Sequence, residues 1–97
     1  MNIHIINLEY LVNEDAIAKI IPLHRDFLDT GYANGMFLAS GPNSTKTAGV
    51  ILAIGKIADI QICLQDDPFH IHEIAEYSFS TFDAVKTCQA LSEILNS

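Results

Sequence analysis

Two half-repeats, each a strand, a helix and a strand, are written into the hydrophobic periodicity of this sequence. Residues 3–10 are rich in β-branched and aromatic side chains, with His4, Ile6, Leu8 and Tyr10 on one face and Ile3, Ile5, Asn7 and Glu9 on the other. They predict a strand that is apolar on both sides. Asn13 then offers an N-cap, and Glu14 and Asp15 suit the positive end of a helix dipole. Ile17, Ile20, Ile21, His24, Phe27 and Leu28 follow at spacings of three and four. That stripe predicts a first helix ending near Gly31 or Gly35. Pro22 lies inside it, removes a backbone hydrogen bond and predicts a kink or an irregular turn just before His24. Met36–Ser40 and Gly49–Ile54 are short apolar runs flanking Gly41-Pro42-Asn43-Ser44-Thr45, and together they predict a β-hairpin with a long connection.

The second half repeats the order. Ile57, Ile60, Cys63 and Leu64 stand at helical spacing, and the pattern stops at Asp66-Asp67-Pro68, because a residue before proline is pushed out of the α region. Ile71 to Phe79 reads as a strand, and Ser80 or Thr81 as the cap of a last helix carrying Ala84, Cys88, Leu91 and Leu95. The order β-α-β-β-α-β-α predicts an α+β, ferredoxin-like fold: an antiparallel four-stranded sheet with both main helices on one face. At 97 residues the chain, 1–97, reads as a single domain. A domain of this size buries only roughly 60–65% of its unfolded surface. Yet 49% of the residues are apolar and 18% charged, against a usual charged share of about 25%. The excess apolar surface and the bare sheet face predict a homodimer.

Composition narrows the partners. Five Lys and Arg against 12 Asp and Glu leave a net charge of −7, with no basic cluster to neutralise phosphates. Nucleic acid and anionic membrane surfaces are therefore not expected as partners. The start, Met1-Asn2-Ile3-His4-Ile5, has no basic segment and no small-residue cleavage site, so no signal peptide is expected and the protein is read as cytoplasmic. The longest apolar stretch, around Ala48 to Ile54, falls well short of the ~20 residues of a spanning helix. Cys63 and Cys88 have no C-x-x-C pairing and read as two buried, reduced thiols on helical stripes.

Four groups of residues bear on chemistry. His24 sits on the apolar stripe of the first helix, where a polar group needs a partner. It is either a core histidine bonded to a backbone carbonyl or a general acid or base. Asp66 and Asp67 follow the second helix at the end where its dipole disfavours anions. Asp67 either closes an Asx-turn or has its carboxylate aimed for function by the extended Asp67-Pro68 backbone. His70 and His72 share a face if their segment is a strand, but a metal site needs more ligands than these two, so no metal is expected. Ser40-Gly41-Pro42 is a strand-end turn in which glycine lets a ligand approach the backbone. No phosphate-binding glycine loop and no G-x-S-x-G is present, so neither a nucleotide cofactor nor serine-hydrolase chemistry is supported, and no cofactor is expected.

Taken together, Pro22-Leu23-His24-Arg25-Asp26-Phe27-Leu28, Gly31, Gly35, Ser40-Gly41-Pro42, Gly49-Val50-Ile51-Leu52-Ala53 and Asp67-Pro68-Phe69 resemble the YciI-like (YCII-related domain) family of small bacterial proteins, in order and spacing over nearly the whole chain. The resemblance implies a ferredoxin-like fold paired through its open sheet faces into a dimeric α-β barrel. It also implies a His-Asp active-site pair, which falls on His24 and Asp67. The sequence departs from the family at Glu73, where relatives commonly carry glycine, and at Ala48 before Gly49. On this reading the protein is a cofactor-independent small-molecule enzyme working by elimination or isomerisation. His24 shuttles the proton and Asp67 orients it, so the two side chains should lie within hydrogen-bond reach. Ser40 and Gly41 position the substrate, Phe69 supplies an apolar wall, and Lys46 meets an anionic group on a small organic substrate. The alternative is a non-catalytic dimeric module that binds a metabolite or a protein partner and keeps His24 and Asp67 as a structural pair.

Overall fold

The computed structural model describes residues 1–96. Its centre is β1 (Asn2–Tyr10), flanked by β3 (Ala48–Ala53) and β4 (Ala75–Asp83), with β2 (Phe37–Pro42) outside β3. All neighbouring strands are antiparallel. The alternation of β1 sets which side chains meet the helices. Ile6 pairs with Ile51 and Phe79, and Leu8 with Gly49 and Tyr77. Ile6 and Leu8 are fully buried beneath Ile17, Phe27 and Leu28 of α1 (Glu14–Ala33) and Ile60 and Leu64 of α2 (Ile57–Leu64). Both helices thus cover one face of the sheet, which is the ferredoxin-like arrangement that the periodicity predicts.

Local chemistry fixes the ends of α1. The Asn13 side chain accepts a hydrogen bond from the Ala16 backbone N–H at 2.9 Å, and Glu14 and Asp15 occupy the first turn. The helix runs through Pro22 as one assigned element and ends before Gly35, whose φ of +80° closes the turn into β2. Gly31 is required by packing: a Cβ there would stand 2.1 Å from the Phe37 ring, so only glycine lets the end of α1 lie against the start of β2.

Three sequence expectations change in the second half. The last strand is Ala75–Asp83, not Ile71–Phe79, because Asp67 and Pro68 start a further turn of helix, α3 (Pro68–Ile71). Pro68 fits its first position, where no backbone N–H is needed. Ser80 and Thr81 lie inside β4 and do not cap a helix. The run Tyr77-Ser78-Phe79-Ser80-Thr81-Phe82 alternates with period two and pairs along β1. The last helix, α4 (Gln89–Leu95), is correspondingly short, with Cys88 as its N-cap. Cys88 is therefore exposed and Cys63 half-buried, which corrects the expectation of two buried thiols.

The sheet face away from α1 and α2 carries Ile5, Leu52 and Phe82, and Phe82 is 47% exposed. Ile3 and Leu95 are buried but stand outside the main core cluster. No helix among the described residues is long and apolar enough to cross a membrane.

Candidate functional site

Asp67 is the organising residue. The chain leaves α2 and turns at Asp67 into α3, so the Asp67 side chain becomes the N-cap of that turn, and its Oδ1 accepts the Phe69 N–H at 3.0 Å. Its carboxylate is fully buried. Burial is offset by two further donors: His24 Nδ1, from α1, lies 2.7 Å from Oδ1, and the Tyr77 hydroxyl, from β4, donates to Oδ2 at 2.5 Å. His24 and Asp67 are 43 positions apart in sequence. They meet because the apolar stripe of α1 turns His24 towards the sheet and the end of α2 returns over the same face.

Three hydrogen bonds converge on this buried carboxylate. A carboxylate only accepts, so His24 Nδ1 carries the hydrogen and Nε2 keeps its lone pair. Every buried side-chain nitrogen or oxygen among the described residues has a hydrogen-bond partner. Nε2 makes no such bond, so it is the nitrogen open to solvent. The imidazole is also clamped from one side: it stacks on the Phe69 ring with centroids 4.0 Å apart and planes 5° from parallel. The Phe69 ring in turn meets the edge of Tyr10 at 5.8 Å.

The cavity beside His24 has a volume of about 270 Å³. Its wall includes Tyr10, His24, Arg25, Ser40, Gly41 and Phe69. Of the residues marked by sequence, His24 and Asp67 are brought together, and Ser40, Gly41 and Phe69 face the same space. Ser40 Oγ is already bonded to the Tyr32 hydroxyl at 2.7 Å, so it reaches the cavity as half of a pair. Lys46 is not brought to the site. It sits exposed in the β2–β3 turn, in a left-handed conformation with φ 57°, and does not line the cavity. Asn43 shapes that turn, accepting from the Thr47 and Ala48 N–H groups. The cation on the wall is Arg25.

His70 and His72 do not share a strand face: His70 lies in α3 and His72 is its C-cap. No three His, Cys, Asp or Glu side chains among the described residues are grouped to hold a metal. His4 is buried with both ring nitrogens used. Nε2 donates to the Gly55 carbonyl at 2.8 Å, and Nδ1 lies 2.8 Å from Thr81 Oγ1.

Sequence reasoning missed Tyr77, Tyr10 and Arg25. The signal for Tyr77 was its parity with Phe79, and its place opposite the buried Leu8 puts it on the helix side. The Tyr77 phenol is pushed well above the usual tyrosine range, first by burial, then by its bond to Asp67 and that group's charge. Tyr10 is raised by burial and, secondarily, by the Asp67 charge. The Cys63 thiol is raised by burial and then by the charges of Asp66 and Asp67.

A raised phenol contributes stability that is intact below the unfolded pKa of about 10 and is lost as the pH climbs beyond it, since only the unfolded chain ionises there. Wild type should therefore be more stable than Tyr77→Phe at pH 8, with the gap narrowing at pH 11. A gap in urea midpoints that stays constant between those pH values would contradict this.

The structure is similar to a crystal structure of an antibiotic biosynthesis monooxygenase, with a TM-score of 0.61 and 16% sequence identity over 87% of this chain and 99% of that one. No family model matches the sequence. No curated protein matches it either. The shared architecture is the ferredoxin-like α+β fold, and a fold of this kind hosts many unrelated reactions.

Proposed function

We propose that this chain is a cofactor-independent enzyme of the YciI-like kind that moves a proton on a small organic molecule. The observation that supports it most is the chain Tyr77–Asp67–His24, which ends on an unpartnered Nε2 at a cavity. Nε2 takes a proton from a carbon of the substrate, and the electron pair left behind forms a double bond. In an elimination that bond expels a leaving group with its electron pair. In an isomerisation the imidazolium returns the proton at a different carbon. Asp67 stabilises the imidazolium and holds the ring, while Tyr77 and the Phe69 N–H hold Asp67. Acid-base catalysis by one positioned group contributes typically ~10²–10⁴-fold.

The test is incorporation of deuterium from D2O into a panel of small C–H acids, followed by proton NMR. Exchange lost in His24→Asn and reduced at least about 10²-fold in Asp67→Asn supports the reading. Exchange that survives in His24→Asn sinks it.

A second reading has its own support. Asp67 caps α3, so the His24–Asp67 pair also serves the fold, as it would in a non-catalytic module that binds a metabolite or a protein partner. Absence of exchange with every C–H acid, with the pair intact, favours that module. In either case the Ile5, Leu52 and Phe82 face is assigned to a second copy of the chain, giving a homodimer. Sedimentation of a monomer at micromolar concentration would refute that assignment.

A further inference from the structure

We propose that the cavity beside His24 takes a small monoanionic carboxylate with an apolar body, its carboxylate held at the mouth by the Arg25 guanidinium. This names a substrate class for the proton-transfer reading and rests on it. The chain is strongly acidic, at −7, yet its cavity wall contains no Asp or Glu and one Arg. The nearby carboxylate, Asp67, is sealed away from the cavity and saturated by three donors, so it does not neutralise Arg25. Arg25 itself makes no ion pair among the described residues. A guanidinium in that state presents a planar fork of donors that matches a carboxylate's two oxygens.

The rest of the wall selects the body of the ligand. Leu8, Ile21, Leu28, Ile51 and Phe69 are apolar. A second polar contact comes from Tyr10, whose hydroxyl lies over Gly49, 3.1 Å from where a Cβ on that glycine would stand. Burial and the Asp67 charge keep the Tyr10 phenol protonated, so it donates to a ligand oxygen and adds no negative charge of its own. A volume near 270 Å³ equals about nine waters' share of the liquid, which fits a molecule of on the order of ten non-hydrogen atoms.

The experiment is an NMR titration of the isotopically labelled full-length chain with benzoate and isobutyrate, each against its neutral amide, benzamide or isobutyramide. The carboxylates should shift the Gly41 and Gly49 amides and the Arg25 Nε–H, and bind about three- to tenfold more tightly than the amides. That preference should shrink as salt rises, because the Arg25 site is at the surface. Arg25→Gln should erase it, leaving acid and amide with equal affinity. Equal affinity for acids and amides, a preference that survives in Arg25→Gln, or no shift at millimolar carboxylate overturns the proposal. Asp67→Asn separates the two readings: carboxylate preference retained with exchange lost in that variant supports both. Preference absent while wild type still exchanges deuterium overturns the carboxylate alone, and preference present in a wild type without exchange overturns the proton transfer alone.

Discussion

Asp67→Ala is expected to destabilise the protein by about 3–5 kcal/mol, the range for removing one partner from a buried charged pair. The substitution strips the acceptor from the Tyr77 hydroxyl, the His24 Nδ1–H and the Phe69 N–H together. A buried donor left without a partner costs about 1–3 kcal/mol, and loss of an N-cap about 0.5–2 kcal/mol. These costs are not additive, since His24 can turn towards solvent once released. Asp67→Asn should cost less, because asparagine still caps α3 and accepts through its carbonyl, although its amide then opposes one of the donors. Urea unfolding of the two variants beside wild type measures both. An Asp67→Ala loss under about 1 kcal/mol would mean that the three donors find water and that the carboxylate is not structurally essential.

A loss of similar size, about 3–5 kcal/mol, is expected for Phe69→Ala through a different cause. Phe69 is 1% exposed, belongs to the main core cluster and also forms the plate on which the His24 imidazole stacks. Alanine would leave a void beneath the ring and free the imidazole to change rotamer. Phe69→Leu fills most of that void without supplying an aromatic face, so it should recover most of the stability while leaving His24 mobile. Unfolding midpoints report the first effect, and line broadening of the His24 ring resonances reports the second. Equal stability of the Ala and Leu variants would show that the void collapses and that packing here is not tight.

Much of this architecture could be read before the structure. Ile17, Ile20, Ile21, Phe27 and Leu28 locate α1, and Asn13 its start, because a capped amphipathic helix has a period that few other elements imitate. His24 and Asp67 were marked as a pair by the resemblance more than by local pattern. The stretch from Asp66 to Thr81 was misread for a physical reason. Ile71 to Phe79 reads as one strand through Ile71, Ile74, Tyr77 and Phe79, but Pro68 sets a helical φ and Asp67 caps it. Glu73 then closes the turn at φ 54°, a left-handed position that glycine adopts most easily. Tyr77 shares the helix face of the sheet because it stands opposite Leu8, a register that the sequence of β4 alone does not specify. Arg25 stands in the motif that carries the resemblance, but an exposed arginine beside His24 has no periodic signature that marks it for the site.

The placement of β1 governs how the molecule comes into being. Its pairing with β4 joins Asn2 to Asp83 across the whole chain, and the terminal amine closes the seam on the Asp83 carboxylate at 2.8 Å. On the ribosome β1 emerges before β4, so its second edge is completed only after the rest of the sheet has been made. Until residues 75–83 have been made, β1 has one side unpaired, and Asp67 lacks Tyr77. The nascent chain carries one open edge on an apolar strand until then, and the site assembles in the same step that closes the sheet.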